Sequence, residues 1–528
     1  MSRFVALPNG VSEETFAKAI KEYRRLLGEE RVRTDPESLH SYTKIMFPES
    51  EELHTPSAAL YPTTVKEIRA IVGIANKYKT PLWTISTGKN FGYGSASPAT
   101  RGQIILDLKR MNRIIQVDEE LGYCVVEPGV TYYDLQQHFR DHRINLWLDV
   151  PSPSTIVGPV GNTADRGVGY TPYGEHFLFS CGMEVVLANG DVIRTGMGGV
   201  PNSTSWQAFK WGYGPYVDGL FTQSNLGIIT KLGVWLMKPP PPGGYMPFCM
   251  KFPKTEMLPD IIKTFMPFRL SQIIPNACVV VNPLLEAACY CTYDSNGKPT
   301  SRESFYKGKG SLPPHAIQQV MDKTKVGAWT FYAALYGSPE QVALNWKYVS
   351  GSFKATFGKQ VEIVTEKEAG DDTNFEFRKQ MMKGGCSLQE FTYYNWRGGG
   401  GSVWFAPVAA ARPSECAKQV KLATEILNKH GFDYLAEFIV GWRDMHHIID
   451  LLYDRNNPEE TKRAYKCYDE LLAAFARHGY GTYRTNPAFM TKTADTFGPE
   501  MRKIHHTLKK ALDPNNILAP GKSGISLG

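Results

Sequence analysis

No apolar run in the 528 residues approaches the ~18 that suggest a membrane-crossing helix, so no transmembrane segment is expected. The opening "MSRFVALPNGVSEETFAKAIKEY" has no apolar leader core; it reads as a polar turn and then a helix capped near Ser12, so no export signal of its own is expected. There is no basic tail or arginine-rich tract, and the net charge of +7 is spread along the chain. That argues against a nucleic-acid partner and leaves a mild field suited to steering an acidic protein. Nine cysteines show no CxxC, no CxxCH accompanies them, and no HExxH is present. A disulfide framework, a metal site and a haem on this chain are therefore not expected. Cys289 and Cys291 in "CYC" read as an i, i+2 pair on one side of a strand. Internal repeats and low-complexity tracts are also missing.

What is there is globular composition, with 42% hydrophobic and 21% charged residues, and a length that implies two or more domains. Residues 55–130 alternate strand and helix signals: "SAALYP", a threonine-capped "TTVKEIRAIVGIANKYK", "PLWTIST", "GQIILDLKRM" and "GYCVVEPGVTYYDLQQHFRDH". "GMEVVLANGDVIRTG" carries the Asn-Gly signature of a tight hairpin. "KPPPPGG", residues 238–244, breaks regular structure and marks the best domain boundary. Beyond it, long helical patterns such as "PSECAKQVKLATEILNKHG" alternate with strands such as "YLAEFIVGW", a second α+β region.

Three glycine-rich loops occupy the first half. "WTISTGKNFGYGS" sets Ser86, Thr87, Gly88, Lys89, Asn90 and Gly92 directly after a strand. Consecutive backbone N–H groups and hydroxyls in such a loop suit an anion, although neither GxGxxG nor a P-loop is present, and an ordinary glycine turn reads the same way. "PSTIVGPVGNTADRGVGYTPYGEH", with Gly161, Asn162 and Asp165, and "TQSNLGIITK", with Gly227, repeat the pattern. Three such loops imply one long ligand laid across them. A different stretch, "EFTYYNWRGGGGSVWFAP", places four glycines, costly in folding entropy, amid aromatics, so something must approach the backbone there.

Long strings then carry a resemblance: "WTISTGKNFGYGSA", "GPVGNTADRGVGYTPYGEHF", "RTGMGGVPNSTSWQAFKWGYGP", "YNWRGGGGSVWFAPV" and "EFIVGWRDMHHIIDLLYD". By these the chain resembles the vanillyl-alcohol-oxidase family of FAD enzymes, and within it the flavoprotein subunits of the p-cresol methylhydroxylase branch, nearly end to end. The resemblance implies a two-domain α+β fold. An FAD-binding domain over 1–240 is completed by 485–528, and 241–484 form a substrate cap. It implies FAD held by the three loops and attached through an 8α-O-tyrosyl bond to Tyr394. The oxidases of the family use a histidine where this chain has Ser402. The glycine run is then expected to pass close to the flavin.

The same resemblance implies a phenolate clamp of Tyr93, Tyr483 and Arg484, with Glu390, Glu437 and Asp450 near the reacting carbon and His446 as the partner of Asp450 and Glu437. Trp404 and Glu175 are expected in the substrate pocket, and Lys522, an arginine in the branch, beside the flavin. Taken singly, each of these residues has a bland alternative as a packed or surface side chain. The implied reaction is hydroxylation of a 4-alkylphenol such as p-cresol or a 4-alkylguaiacol. Electrons pass to a c-type cytochrome subunit that carries the haem, in an α2β2 assembly on a flavoprotein homodimer. A periplasmic complex reached by co-export with that cytochrome is the corresponding expectation, a cytoplasmic one otherwise. An oxygen-using oxidase and a flavin-free binding or scaffolding protein are the competing readings.

Overall fold

The computed structural model describes residues 4–152, 155–293 and 295–527. Pro153 and Ser154, at the head of the second glycine-rich loop, and the first three residues lie outside the described residues. The expected helix near the start runs Glu13–Leu27, with the Ser12 hydroxyl accepting from the Thr15 N–H.

Two small sheets are built before the proline run. In the first, parallel strands Ala58–Leu60, Ile104–Asp107 and Leu82–Ile85 lie beside the short strand Val32–Arg33. The helix Val65–Tyr78 connects them, capped by Thr64 as expected. Its apolar stripe (Ile68, Ile71, Val72, Ala75) is fully buried, as a 3.6-residue period demands. The second sheet is antiparallel and five-stranded. It contains the hairpin Ser180–Val186 and Val192–Arg194, with Gly190 at φ +87° in the turn. The C-terminus returns to this half. Leu82 exchanges backbone hydrogen bonds with Ile517 and Ala519, and Asn225 donates to the carbonyls of Ala519 and Ile525.

After the proline run the chain enters an eight-stranded sheet. Its order is Glu362–Thr365, Tyr245–Phe252, Trp329–Tyr336, Cys278–Val281, Leu435–Val440, Asp444–Asp454 and Gly400–Phe405, with Val408–Ala410 beside Asp444–Asp454. One face packs against helices Leu258–Leu270, Pro339–Phe357, Pro413–His430 and Pro458–Arg477 in the largest apolar core. The other face turns toward the glycine-rich loops.

Two sequence expectations change here. Cys289 and Cys291 are buried but follow the helix Pro283–Ala288 in a turn, not in a strand. The helix wins because the Asn282 side chain caps the Leu285 N–H after Pro283 has fixed the first turn. The glycine run does not line the loop-walled cavity. What comes close to it is the end of the neighbouring strand. A Cβ on Gly399 would lie 2.1 Å from the Asp454 carboxylate, and one on Gly401 would lie 2.4 Å from the Tyr453 carbonyl. Gly398, Gly399 and Gly400 all have φ between +70° and +75°, a region that side chains disfavour.

Candidate active site

The three glycine-rich loops converge on one cavity. Its wall contains Ser86, Thr87, Gly88, Lys89 and Asn90 from the first loop, Gly161, Asn162 and Asp165 from the second, and Gly227 from the third. Lys522 from the C-terminal tail joins them. The loops pack too tightly for side chains. A Cβ on Gly161 would lie 2.2 Å from the Ser86 hydroxyl, one on Gly158 would lie 2.4 Å from the Val130 carbonyl, and one on Gly227 would lie 2.4 Å from Val185. Such a cradle of bare backbone and small hydroxyls fits a long ligand carrying phosphates and a flat ring.

Charge is concentrated at one end. The Lys522 ammonium lies 3.0 Å from Asp165, and the Arg484 guanidinium lies 3.8 Å from the same carboxylate while donating to Asn90 at 2.7 Å. Burial works to raise the Asp165 pKa, but the two cations outweigh it and hold the carboxyl below its usual range. Asn162 is engaged by His176, whose other ring nitrogen meets Asp149 at 2.6 Å. These two loop side chains therefore tie the cradle together as well as face it.

The cavity continues to the open face of the eight-stranded sheet, where Tyr93, Trp404, Glu437 and Tyr483 line it with Arg484. The Tyr93 and Tyr483 hydroxyls are 3.4 Å apart, and the guanidinium of Arg484 sits 4.3 Å above the Tyr93 ring. Burial, with the charge of Tyr483 added, lifts the Tyr93 phenol well above its normal range, so it is a donor at neutral pH. Gly92 is not in the wall but directly behind it. Its carbonyl accepts from the Trp404 N–H at 2.7 Å, and a Cβ there would lie 2.1 Å from the indole. Trp404 is pinned on its other side by Tyr393, whose hydroxyl accepts from the indole N–H at 2.8 Å.

Strand periodicity sets the rest. Glu437, Ile439, His446, Ile448 and Asp450 fall on the face toward the cavity, with Trp404 paired opposite Asp450. Asp450 and Glu390 stand behind the wall that Glu437 lines. Both are almost fully buried, as is Glu437. Burial, with the negative charge of Glu437 and Glu390, pushes the Asp450 carboxyl far up. Burial also pushes Glu437 up to about 7, against the pull of Arg378. His446 differs from expectation. Its ion-pair partner is Asp444, at 3.1 Å, rather than Asp450 or Glu437, because the i, i+2 spacing on one strand face favours the nearer carboxylate. Its ring stacks 4.4 Å from Tyr483. Glu175 is also outside the wall; it lies against His446, and burial raises its carboxyl.

Tyr394 opens a short helix, Tyr394–Arg397, after the turn Gln389–Tyr393. Its hydroxyl is buried beside the Tyr393 and Ser402 hydroxyls, which pull its pKa down against the larger rise from burial; neither it nor Ser402 makes a well-aligned hydrogen bond among the described residues. Sequence reading missed Arg378 and Gln223. The Gln223 amide ties the Asp165 carbonyl to that of Tyr483. Its backbone φ of +46°, invisible in sequence, was the signal.

Residues 56–196 match the FAD binding domain family, and residues 314–523 match the C-terminal domain of FAD linked oxidases. The chain is 53% identical to the 4-cresol dehydrogenase [hydroxylating] flavoprotein subunit of Pseudomonas putida, over 99% of this chain and 98% of that one. A solved structure of p-cresol methylhydroxylase with substrate bound superposes with a TM-score of 0.96 at 52% identity, covering 99% of each chain. The 4-ethylphenol oxidase of Gulosibacter chungangensis superposes at 0.93 with 36% identity, covering 98% and 99%. The cradle, the clamp and these likenesses agree: the chain belongs to the family of 4-cresol dehydrogenase (hydroxylating) flavoprotein subunits, FAD-dependent oxidoreductases.

Proposed function

We propose that this protein hydroxylates 4-alkylphenols at the benzylic carbon and passes the electrons to a c-type cytochrome on a separate subunit. The observation that carries the reading is the Tyr93–Tyr483–Arg484 cluster, set in one cavity wall with Glu437 and opening onto the glycine cradle. FAD, when bound, accepts the hydride lost from the benzylic carbon. That loss is hard from a neutral phenol and far easier from a phenolate, whose ring oxygen pushes electrons toward the leaving hydride. Arg484 supplies a permanent positive charge and the two tyrosines supply hydroxyl donors, all fixed before the reaction. The resulting quinone methide is attacked by water. Glu437 is the carboxylate on the wall that takes the water's proton, with Asp450 behind it to receive or return one. Trp404 and Tyr170 present apolar surface to the aromatic ring.

The residues suit the cofactor as follows. Ser86 to Asn90, Gly161 and Gly227 would line its phosphates and ribose. Lys522 would place a cation near the ring, where anionic charge develops on reduction. Tyr394 would be the covalent attachment point, supported by the match of its surrounding string to the hydroxylase branch and by Ser402 in place of the oxidase histidine. Residues 1–240 with 485–528 would form the FAD domain and 241–484 the cap, in line with the C-terminal strand exchange at Leu82. An α2β2 complex in the periplasm follows from the same reading. The test is to reduce the enzyme anaerobically with a panel of 4-alkylphenols and 4-alkylguaiacols. Oxygen or a cytochrome c is then offered in separate stopped-flow shots. Fast reoxidation by cytochrome is expected. The likeness to 4-ethylphenol oxidase supports one alternative, use of oxygen; fast reoxidation by oxygen with peroxide release would establish it instead.

A further inference from the structure

Arg378 has no place in the clamp or the cradle, yet it is among the largest fully buried side chains of the described residues. It projects from the helix Thr373–Met381, which Asp372 caps and whose Asn374, one turn earlier on the same face, donates to the Glu286 carbonyl. Its Nη2 lies 2.9 Å from Glu437 Oε2 and 3.3 Å from Glu390 Oε1, so one nitrogen bridges two carboxylates from separate elements. Its Nε and Nη1, and the second oxygen of Glu390, have no hydrogen-bond partner among the described residues. A guanidinium stripped of water is costly unless charge repays it, and here the repayment comes from the side of the cavity that Glu437 lines.

We propose that Arg378 is the positioning residue for the water-activating carboxylate: it bridges Glu437 to Glu390 and holds the Glu437 carboxylate in place on the cavity wall. This rests on the hydroxylase reading above. The groups that face the bridge are Glu286 from the helix Pro283–Ala288, Asp450 from the strand Asp444–Asp454, Tyr332 from the strand Trp329–Tyr336, Tyr170 from the second glycine-rich loop, and Cys289. Glu286, Glu390, Glu437 and Asp450 are four acids around one cation. Burial raises Glu286, Glu437 and Asp450, and Arg378 opposes that rise at Glu286 and Glu437. Tyr332 donates to Glu286, not to the bridge, and so shares out the negative charge. The bridge uses one nitrogen whose two N–H groups lie in the fixed plane of the guanidinium, so a lysine ammonium would keep the charge but not the directions.

The experiment uses the purified flavin-loaded enzyme and has two readouts. One is the infrared band of protonated carboxyl groups followed with pH, assigned by its loss in Glu437→Gln. The other is the pH profile of kcat/KM. In the wild type the assigned band titrates near pH 7 and activity falls below that pH as the base is protonated. In Arg378→Met, loss of the neighbouring cation moves both upward by about 1–3 pH units. Arg378→Lys moves them less and recovers part of the activity at high pH. A band and an acid limb that stay at the wild-type pH in Arg378→Met overturn the proposal. If Arg378→Met yields no folded enzyme, Arg378→Lys carries the test: a smaller upward shift of the Glu437 band is expected, and an unmoved band overturns the proposal. A wild-type enzyme that oxidises no 4-alkylphenol would sink the functional reading, while the infrared titration would still decide the role of Arg378.

Discussion

His446 and His447 are neighbours on one strand and live in different chemical worlds. His447 points into the helix-covered core, stacked 4.2 Å from Phe438 with its Nε2 2.7 Å from the Tyr434 hydroxyl. His446 points the other way, toward Asp444 and Tyr483. The same division holds across the sheet. Phe438, Val403, Phe405, Ile449 and Leu451 belong to the core face, whereas Glu437, Trp404, Asp450 and Ile448 belong to the face toward the cavity. A strand has a side-chain period of two, so a single set of hydrogen-bonded ladders feeds two different faces. The face toward the cavity is apolar too, with Val279, Tyr332, Ile439 and Ile448 packed together, and its few acids are set in that rigid frame.

If the two faces are as separate as this, substitutions should sort cleanly. Phe438→Ala, on the core face, should cost about 3–5 kcal/mol of stability, read as a lower denaturant midpoint. The enzyme that remains folded should keep its KM. A large rise in KM at permissive temperature would show that the faces are coupled. Against the opposite face, Tyr483→Phe and Arg484→Ala should lower kcat and kcat/KM together by roughly 10²-fold or more, with the melting temperature unchanged in Tyr483→Phe and lowered in Arg484→Ala, which strips Asp165 and Asn90 of a buried partner. Activity near wild type in both would remove the phenolate clamp.

Tyr394→Phe probes a buried hydroxyl outside the cavity wall, beside those of Tyr393 and Ser402. The wild type should retain yellow flavin on acid-precipitated protein, and the variant should release it, with a smaller loss of turnover than the clamp variants. The assembled complex is the sample to use. Release from the wild type as well would show that the hydroxyl has another partner.

The effect that is smallest at neutral pH belongs to His447. Burial drives its pKa down to about 3, from 6.5 for a free imidazole. Between those values the unfolded chain binds a proton that the folded chain refuses. Stability is therefore fully present above about pH 6.5 and is lost as pH falls, by about 1.4 kcal/mol per pH unit. His447→Gln should flatten the acid side of the stability–pH curve. An unchanged slope would show that the ring is protonated in the fold.

Much of this molecule could be read before it was seen. The Thr64-capped helix, the Asn-Gly hairpin, the change of architecture after the proline run and the three glycine-rich loops are local patterns. Each is set by propensity, capping or turn chemistry within about twenty residues, and all are present in the structure. The clamp residues and Tyr394 were named through long matched strings, because a lone tyrosine or Tyr-Arg pair carries no signal of its own. The errors share a cause. The four glycines accommodate Asp454 and Tyr453, some fifty residues away, and His446 pairs with Asp444; Arg378, on which the sequence carried no reading, is buried between Glu437 and Glu390.

The sequence by itself determined most of the elements and the glycine cradle. Only the tertiary structure decided which charges meet. Strand register chose the face of each side chain, and packing of the Thr373–Met381 helix brought a cation to two acids from other elements. Chain separation carries no trace of such pairings, because the free energy that selects them is the desolvation of all the partners at once.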